Sequence, residues 1–197
     1  MKPIEPSQLS SSARQAFRLI EFDKDEVLLC EVRKHWFGLF LVYAVGTFVS
    51  VVLIMVAVGS AFLGGEASAD TIGLSFSAIQ MPIILLCFVS ALLAAVGTAI
   101  GAFLYKSNVV LVTSEKLVQL LNITLFNRKI SQLSIGDVQD VTVQQDGIFP
   151  HLFKYGTIVI ETAGEQQNYR FTYTPFPYET AKMIVSSHEE NLKLHGN

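Results

Sequence analysis

The sequence predicts a hairpin of two transmembrane α-helices, followed by a mainly-β domain that ends in a capping α-helix. Hydrophobic residues make up 51% of the 197 residues and charged residues only 16%, against about 25% charged residues in an average soluble protein. The apolar residues are concentrated in two long uncharged runs. After these runs the pattern changes to short β-type segments and one segment of helical period.

Both uncharged runs are long enough to cross a bilayer, which takes about 20 apolar residues. The second run contains Met81-Pro82, and because proline is tolerated in a first helical turn, we expect its helix to begin there. The predicted organisation is a cytoplasmic N-terminal segment (1–35), a first span (36–63), a short external loop (64–79), a second span (80–105), a cytoplasmic domain (106–192) and a tail (193–197).

Basic residues beside the spans predict their orientation. Arg33 and Lys34 precede the first span and Lys106 follows the second, whereas the loop 64–79 contains no Lys or Arg. Lys and Arg accumulate on the cytoplasmic side of membrane proteins. We therefore expect a multi-pass protein of the plasma membrane with both termini in the cytoplasm.

The spans contain no Asp, Glu, Lys, Arg or His, so they lack the ionisable residues that mark an ion or substrate path. Small residues recur at a spacing of four, as Gly46 with Ser50 and Gly97 with Gly101. Such spacing lets two helix backbones approach closely. Two interpretations stay open: the spans pack against each other, or they form a dimer seam.

The β-type part of the chain predicts six strands. They are expected at 108–113, 116–121, 127–133, 138–145, 156–162 and 168–174. Asp146-Gly147 and Ala163-Gly164 supply turn residues, and the prolines of 175–177 end the sheet. Apolar residues at a period of 3.6 then predict a helix over 178–192, which would cover the sheet.

Several motifs stand in a fixed order around the spans. Upstream come Glu26-Val-Leu-Leu and Val32-Arg-Lys-His-Trp36. After the spans come Asn108-Val-Val-Leu-Val-Thr113 with Ser114-Glu-Lys-Leu117, then Ile135-Gly-Asp-Val-Gln-Asp-Val141, and finally Gly147-Ile-Phe with Tyr155-Gly-Thr157. In this order they resemble the segment before the first span, the "LT-x-x-[KR]-L" hairpin, the "I-x-D-I-x-D-V" element and the hydrophobic loop with "YGT" of bacterial pleckstrin-homology (PH) domains of the YdbS-like type.

This resemblance implies a PH-like split barrel of about seven strands with a C-terminal capping helix. It implies no defined biochemical role. Because the residues alone indicate six strands, we expect the seventh to arise from a split of the run around Gly136.

No residue pattern predicts an active site, a metal site or a cofactor. His188 and His195 lack the third and fourth ligands that a metal such as zinc needs. Cys30 and His35 lack an orienting acid for nucleophilic chemistry. We therefore expect a protein that is not an enzyme.

Two other polar patterns have structural interpretations. Asp137 and Asp140 are expected to make turn hydrogen bonds. Asn122-Ile-Thr124 matches a glycosylation sequon, but it falls on the cytoplasmic side and is interpreted as a hairpin turn.

The charge balance excludes two classes of ligand. A net charge of −3 does not suit nucleic-acid phosphates. A phosphoinositide site needs a basic pocket, whereas residues 106–197 hold eight Lys and Arg against nine Asp and Glu, with Arg128-Lys129 as their one basic pair.

A segment between Gly147 and Gly156 is more apolar than an ordinary loop. Its candidate docking residues are Ile148, Phe149, Leu152, Phe153, Lys154 and Tyr155. The segment either plugs one end of the barrel or forms an exposed docking patch.

The expected function is a membrane-anchored, non-catalytic interaction module that binds protein at the cytoplasmic membrane face, either copies of itself or a related membrane protein. Peripheral lipid sensing by the PH-like domain is the alternative. A weaker alternative is a small channel or transporter accessory subunit.

Overall fold

The computed structural model describes residues 8–22, 26–63, 76–162 and 168–195. Most of the expected external loop, the Ala163-Gly164 turn and the last two residues of the tail lie outside the described residues. The chain divides into two compact units, Leu39–Phe103 and a second unit made of Met1–Gly38 with Leu104–Asn197.

The unit Leu39–Phe103 consists of parts of two long apolar helices, α2 (Trp36–Leu63) and α3 (Phe76–Ser107). Both are long and apolar enough to cross a membrane, over Trp36–Phe62 and Gln80–Ser107. Large apolar side chains are exposed along both helices. Soluble monomers rarely expose contiguous apolar surface of this extent.

The helix α3 begins at Phe76, several residues before the start expected at Met81-Pro82. Pro82 therefore lies inside the helix. Its missing N–H removes one backbone hydrogen bond, which an apolar helix of this length tolerates because the rest of its hydrogen-bond ladder continues on both sides.

The other unit is built from two antiparallel sheets and a C-terminal helix. One sheet has the order β1 (Leu28–Arg33), β2 (Val109–Thr113), β3 (Lys116–Asn122) and β4 (Arg128–Ser134); the other has the order β5 (Val138–Gln144), β6 (Tyr155–Thr162) and β7 (Tyr169–Pro175). A 3₁₀ turn, Ile135–Asp137, connects the sheets, and helix α5 (Pro177–His195) follows. The six predicted strands are confirmed to within one or two residues, as is the capping helix apart from a few residues at its ends.

The seventh strand is β1, which precedes both long helices. The expected split around Gly136 is wrong, because this glycine lies in the 3₁₀ turn between the sheets. β1 pairs with β2, with Arg33 opposite Val109. The domain therefore includes chain before α2, which the expected boundary at residue 106 left out.

Two apolar cores lie on opposite faces of the first sheet. Between the sheets, and against α5, the most buried side chains are Val112, Leu117, Ile135, Ile158, Ile160 and Ile184. On the outer face, helix α1 (Ser11–Arg18) and its flanks cover the sheet; this core contains Leu9, Ala13, Ala16, Ile20, Val109, Leu111, Val118 and Leu120. Because β2 is covered on both faces, all five of its residues are buried.

Glu26 fixes the segment that leads into β1. Its fully buried carboxylate accepts a hydrogen bond from the Thr113 hydroxyl at 2.5 Å and pairs with the Lys116 ammonium at 3.0 Å. The Thr113 hydroxyl oxygen also accepts the backbone N–H of Lys116 at 2.9 Å. The Thr-x-x-Lys spacing of the hairpin motif thus brings a hydroxyl and an ammonium to one carboxylate from the upstream motif.

Candidate functional site

The apolar segment after β5 forms a short helix, α4 (Ile148–Phe153), where the sequence suggested a loop. Gly147 precedes it with φ of 97°, a conformation that favours glycine. Lys154 ends the helix in the left-handed region, and its carbonyl accepts the Phe176 N–H at 2.9 Å. No residue of α4 is buried.

An aromatic cluster joins α4 to the first turn of α2. Phe37 stacks on Phe149 and Phe153, with ring centroids 5.7 and 4.7 Å apart. Trp36 meets Phe153 edge-on at 5.5 Å. Phe37 also stacks on Tyr155, the first residue of β6, at 5.3 Å. Aromatic pairs at such distances stabilise beyond the area they bury, so α4 is held against the start of α2.

The cluster continues to the last turn of α3. Tyr155 stacks on Tyr173 at 5.4 Å, and Tyr173 meets Tyr105 edge-on at 6.0 Å. The Tyr105 hydroxyl donates to the His35 carbonyl at 2.7 Å, and the His35 N–H donates to the Tyr173 carbonyl at 2.6 Å. Burial lowers the pKa of His35, which favours its neutral ring. Residues next to both long helices are thereby tied to β6 and β7.

One side of α4 remains uncovered. Ile148 is 81% exposed, Leu152 is 67% exposed and Phe149 is 59% exposed. The barrel-plug interpretation is not supported, because α4 contributes no residue to either apolar core. Phe153 is the half-buried member that packs on Phe37, while Lys154 and Tyr155 form the junction with β6.

The predicted topology residues surround the same junction. The Lys34 ammonium lies over the Tyr105 ring, 5.2 Å from its centroid, and burial lowers the pKa of Lys34. Arg33 lies 3.5 Å from the Glu31 carboxylate. Lys106 is exposed in the last turn of α3.

The predicted helix-packing residues behave differently from one another. A side chain at Gly46 would overlap Thr98 of α3, and one at Gly101 would come within 3.5 Å of a valine of α2. The Ser50 hydroxyl donates to the Gly46 carbonyl at 2.9 Å, within its own helix. Around Gly97, no described atom lies within 4 Å of an added Cβ. Gly46 and Gly101 thus face the other long helix, whereas Gly97 does not.

A cleft at the seam between the two sheets is lined by Arg170 of β7 and by Arg33 and Lys34, the basic pair that precedes α2. Arg170 is distant from this pair in the chain, so no local pattern indicates the grouping. Arg170 donates to the Gln144 side chain at 3.1 Å.

The other polar candidates have structural partners. Burial raises the pKa of the Cys30 thiol to about 12, so the nucleophilic thiolate is not formed near neutral pH. His188 Nδ1 lies 2.7 Å from the Ile135 carbonyl, to which its N–H donates. Asp140 accepts hydrogen bonds from the Val141 N–H at 2.8 Å and the Thr142 hydroxyl at 3.0 Å. Within the described parts of the chain, no three His, Cys, Asp or Glu side chains converge as a metal site would require.

The antiparallel sheets of four and three strands, with a helix packed on them after the last strand, define a PH-like domain. The bacterial PH domain family matches residues 37–184, so the chain belongs to this family. Comparison with curated proteins gave no match, and neither did comparison with solved structures. The matched range begins at Phe37, and α1 and β1 lie before it.

Proposed function

We propose that the protein is a membrane-anchored, non-catalytic interaction module of the YdbS-like type, which binds a protein partner through the uncovered side of α4. In this proposal α2 and α3 cross the plasma membrane. The PH-like domain and both termini lie on the cytoplasmic side. The observation that carries the proposal is the exposure of Ile148, Phe149 and Leu152 on a helix that is itself fixed by aromatic stacking.

The membrane placement is supported by the surface of the two long helices. Phe48 of α2 is 69% exposed and Leu86 of α3 is 67% exposed, and a lipid environment removes the cost of exposing them to water. Arg33, Lys34 and Lys106 stand at the ends of α2 and α3 that adjoin the PH-like domain, and this favours a cytoplasmic position for that domain.

The docking role is supported by the way in which α4 is held. Phe149 and Phe153 stack on Phe37 and so hold α4 in place. Because α4 is already ordered, binding of a partner to its uncovered side costs little conformational entropy. Burying Ile148 and Leu152 in a partner would contribute about 3–6 kcal/mol in total. Because an anchored domain has already lost most of its translational freedom, this is sufficient for recruitment within the membrane plane.

The partner we favour is a second copy of the chain or a related membrane protein, since α4 contacts the first turn of α2 and such a partner would present protein surface at the same level. A second candidate is the lipid surface itself, which the proximity of α4 to Trp36 and Phe37 also favours.

Photo-crosslinking of the full chain in its native membrane tests the proposal. A photoreactive phenylalanine analogue at Leu152 is expected to form a protein adduct, and the same analogue at the exposed Glu189 of α5 is the matched control. Adding the change Ile148→Ser should reduce the adduct without unfolding the domain, because Ile148 is 81% exposed.

The outcomes separate the candidates. A protein adduct at position 152 that is absent at position 189 supports docking to protein. Adducts with lipid alone would transfer the role of α4 to the membrane surface. Equal labelling at both positions would refute any docking role for α4.

A further inference from the structure

The connection between β3 and β4, residues 123–127, is apolar where a strand connection is usually polar. Phe126 is 99% exposed, Ile123 is 56% exposed and Leu125 is 50% exposed. Arg128 and Lys129 follow at once, and both are exposed. We call residues 123–127 the β3–β4 tip.

The conformation of the β3–β4 tip does not depend on its apolar side chains. The Ile123 N–H donates to the Asn127 carbonyl at 2.9 Å. The Thr124 hydroxyl oxygen accepts the N–H groups of Phe126 and Asn127 at 3.3 and 3.0 Å. The turn is therefore shaped by its own polar groups, and the apolar side chains are left for contact with something else.

The base of the tip is fixed to the end of α3. The Asn122 backbone N–H donates to the Asn108 side-chain oxygen at 2.6 Å, and the Asn122 side-chain amide nitrogen donates to the Ser107 carbonyl at 3.3 Å. Ser107 is the last residue of α3. The Arg128 guanidinium in turn donates to Asn122 Oδ1 at 3.1 Å, so this basic residue is held at the same level.

The strand register gives the direction of the tip. Val109, the first residue of β2, pairs with Leu120. β3 continues for two residues beyond Leu120, to Asn122, on the side where α3 ends. At about 3.3 Å per residue, this carries Asn122 roughly 7 Å past Val109, and the tip extends further. The β3–β4 tip therefore extends beyond the end of the sheet at which the last residue of α3 leads into β2.

We propose that the β3–β4 tip inserts into the cytoplasmic leaflet of the membrane that α2 and α3 cross. Phe126, Leu125 and Ile123 would enter the interfacial zone, and Arg128 and Lys129 would contact anionic lipid headgroups. The inference rests on the proposed function, because it requires α3 to cross the membrane. Apolar side chains next to basic ones match a surface whose apolar interior lies under negatively charged headgroups.

The insertion would add a lipid contact to the domain, apart from the aromatic contacts that α4, β6 and β7 make with the ends of α2 and α3.

Tryptophan fluorescence in reconstituted vesicles tests the inference. Trp36 is the single tryptophan of the chain, so Trp36→Phe provides a silent background. In this background Phe126→Trp places the reporter in the tip, and Glu189→Trp places it on α5. Glu189 is a matched control because it lies away from the tip. The nearby Asn191 side chain donates to the Ser114 carbonyl, and Ser114 lies in the β2–β3 hairpin, at the end of these strands opposite the β3–β4 tip.

The full chain is placed in vesicles of phosphatidylcholine with phosphatidylglycerol, with and without bromine on the lipid chains as a quencher. The Phe126→Trp variant should emit at shorter wavelength than the Glu189→Trp variant and be quenched several-fold more by the brominated lipid. Adding Arg128→Gln and Lys129→Gln should reduce that quenching to the level seen in vesicles of phosphatidylcholine alone.

Equal quenching of the two reporters would overturn the inference. A shift to shorter wavelength at position 126 without quenching by brominated lipid would overturn it too, because the tip would then be covered by protein. Alkaline extraction of the same vesicles keeps the two proposals apart. If the chain is extracted, the proposed membrane anchoring fails; if it is retained and position 126 is not quenched, only the tip insertion fails.

Discussion

Docking of α1 on the outer face of the first sheet can be tested with one substitution. Ala16 of α1 is fully buried against the sheet, so Ala16→Glu introduces a carboxylate at this contact. Either the helix stays docked with an unpaired carboxylate in an apolar core, or it leaves the sheet. An unpaired buried charge costs several kcal/mol, and we therefore expect the helix to leave.

The size of the effect follows from the side chains that docking buries. Leu9 and Ile20, which are 3% and 7% exposed, together contribute about 3–6 kcal/mol. If Ala16→Glu removes about 3 kcal/mol of this, the population of the undocked form rises by about 100-fold. The rate of tryptic cleavage reports the population of the undocked form, because Arg14 and Arg18 lie within α1 and cleavage requires the helix to open.

The assay follows tryptic cleavage after Arg14 in the full chain by mass spectrometry. Gln15→Glu is the matched control: it adds a carboxylate to the neighbouring position, on the exposed side of α1 and within reach of Arg128. We expect Ala16→Glu to raise the cleavage rate by about 100-fold and Gln15→Glu to leave it within about twofold. Similar rates in the two variants would refute docking of α1 through Ala13 and Ala16.

Three further predictions concern the thiol of β1 and the packing of the long helices. Burial raises the pKa of Cys30 from 9.0 to about 12, so a maleimide near neutral pH should label Cys30 only after unfolding. In addition, the domain should lose stability as pH rises from 9 towards 12, because the unfolded thiol ionises in that range while the folded one keeps its proton; a Cys30→Ala variant should show a smaller decline. Gly46→Leu should lower the melting temperature of the purified chain in detergent, because the new side chain meets Thr98, whereas Gly97→Leu, with no described atom near its Cβ, should change it little; equal shifts would contradict this packing.

The strands after α3 could be predicted because they carry their own signal. β2 to β7 are short runs that contain Val, Ile, Leu, Thr or aromatic residues and are separated by turn residues, and most of them pair with the next strand along the chain. β1 gives a much weaker signal. Leu28–Arg33 is short, contains Glu31 and lies beside the basic residues before α2, so its residues indicate a segment that leads into the first span and not a strand.

The helix α1 leaves little signal in the sequence for a related reason. Its buried positions within the helix are Ala13 and Ala16, and alanine contributes little to a hydrophobic period. Its larger buried partners, Leu9 and Ile20, lie just outside the helix bounds. The closeness that alanine permits is useful in packing, but it leaves almost no trace in a hydropathy pattern.

The aromatic cluster was indicated only in part by the sequence. The apolar residues between Gly147 and Gly156, which include Phe149 and Phe153, distinguish that segment from an ordinary loop. Its partner Phe37 lies in the first uncharged run and Tyr105 ends the second, and nothing in the sequence distinguishes either from the other apolar residues of these runs. The stacking of Phe37 on Phe149 and Phe153 depends on the pairing of distant strands, which single-sequence periodicity does not report.

The pairing of β1 with β2 has a consequence for biosynthesis. Arg33 and Val109 are partners in the sheet, yet both long helices lie between them in the chain. In the proposed membrane setting, a chain in which one helix had failed to insert would leave β1 and β2 in different compartments. The first sheet could not close, and β2 would present an unpaired edge to quality-control proteases and chaperones. In this setting, β1 and β2 can therefore pair only if α2 and α3 both cross the membrane or neither does.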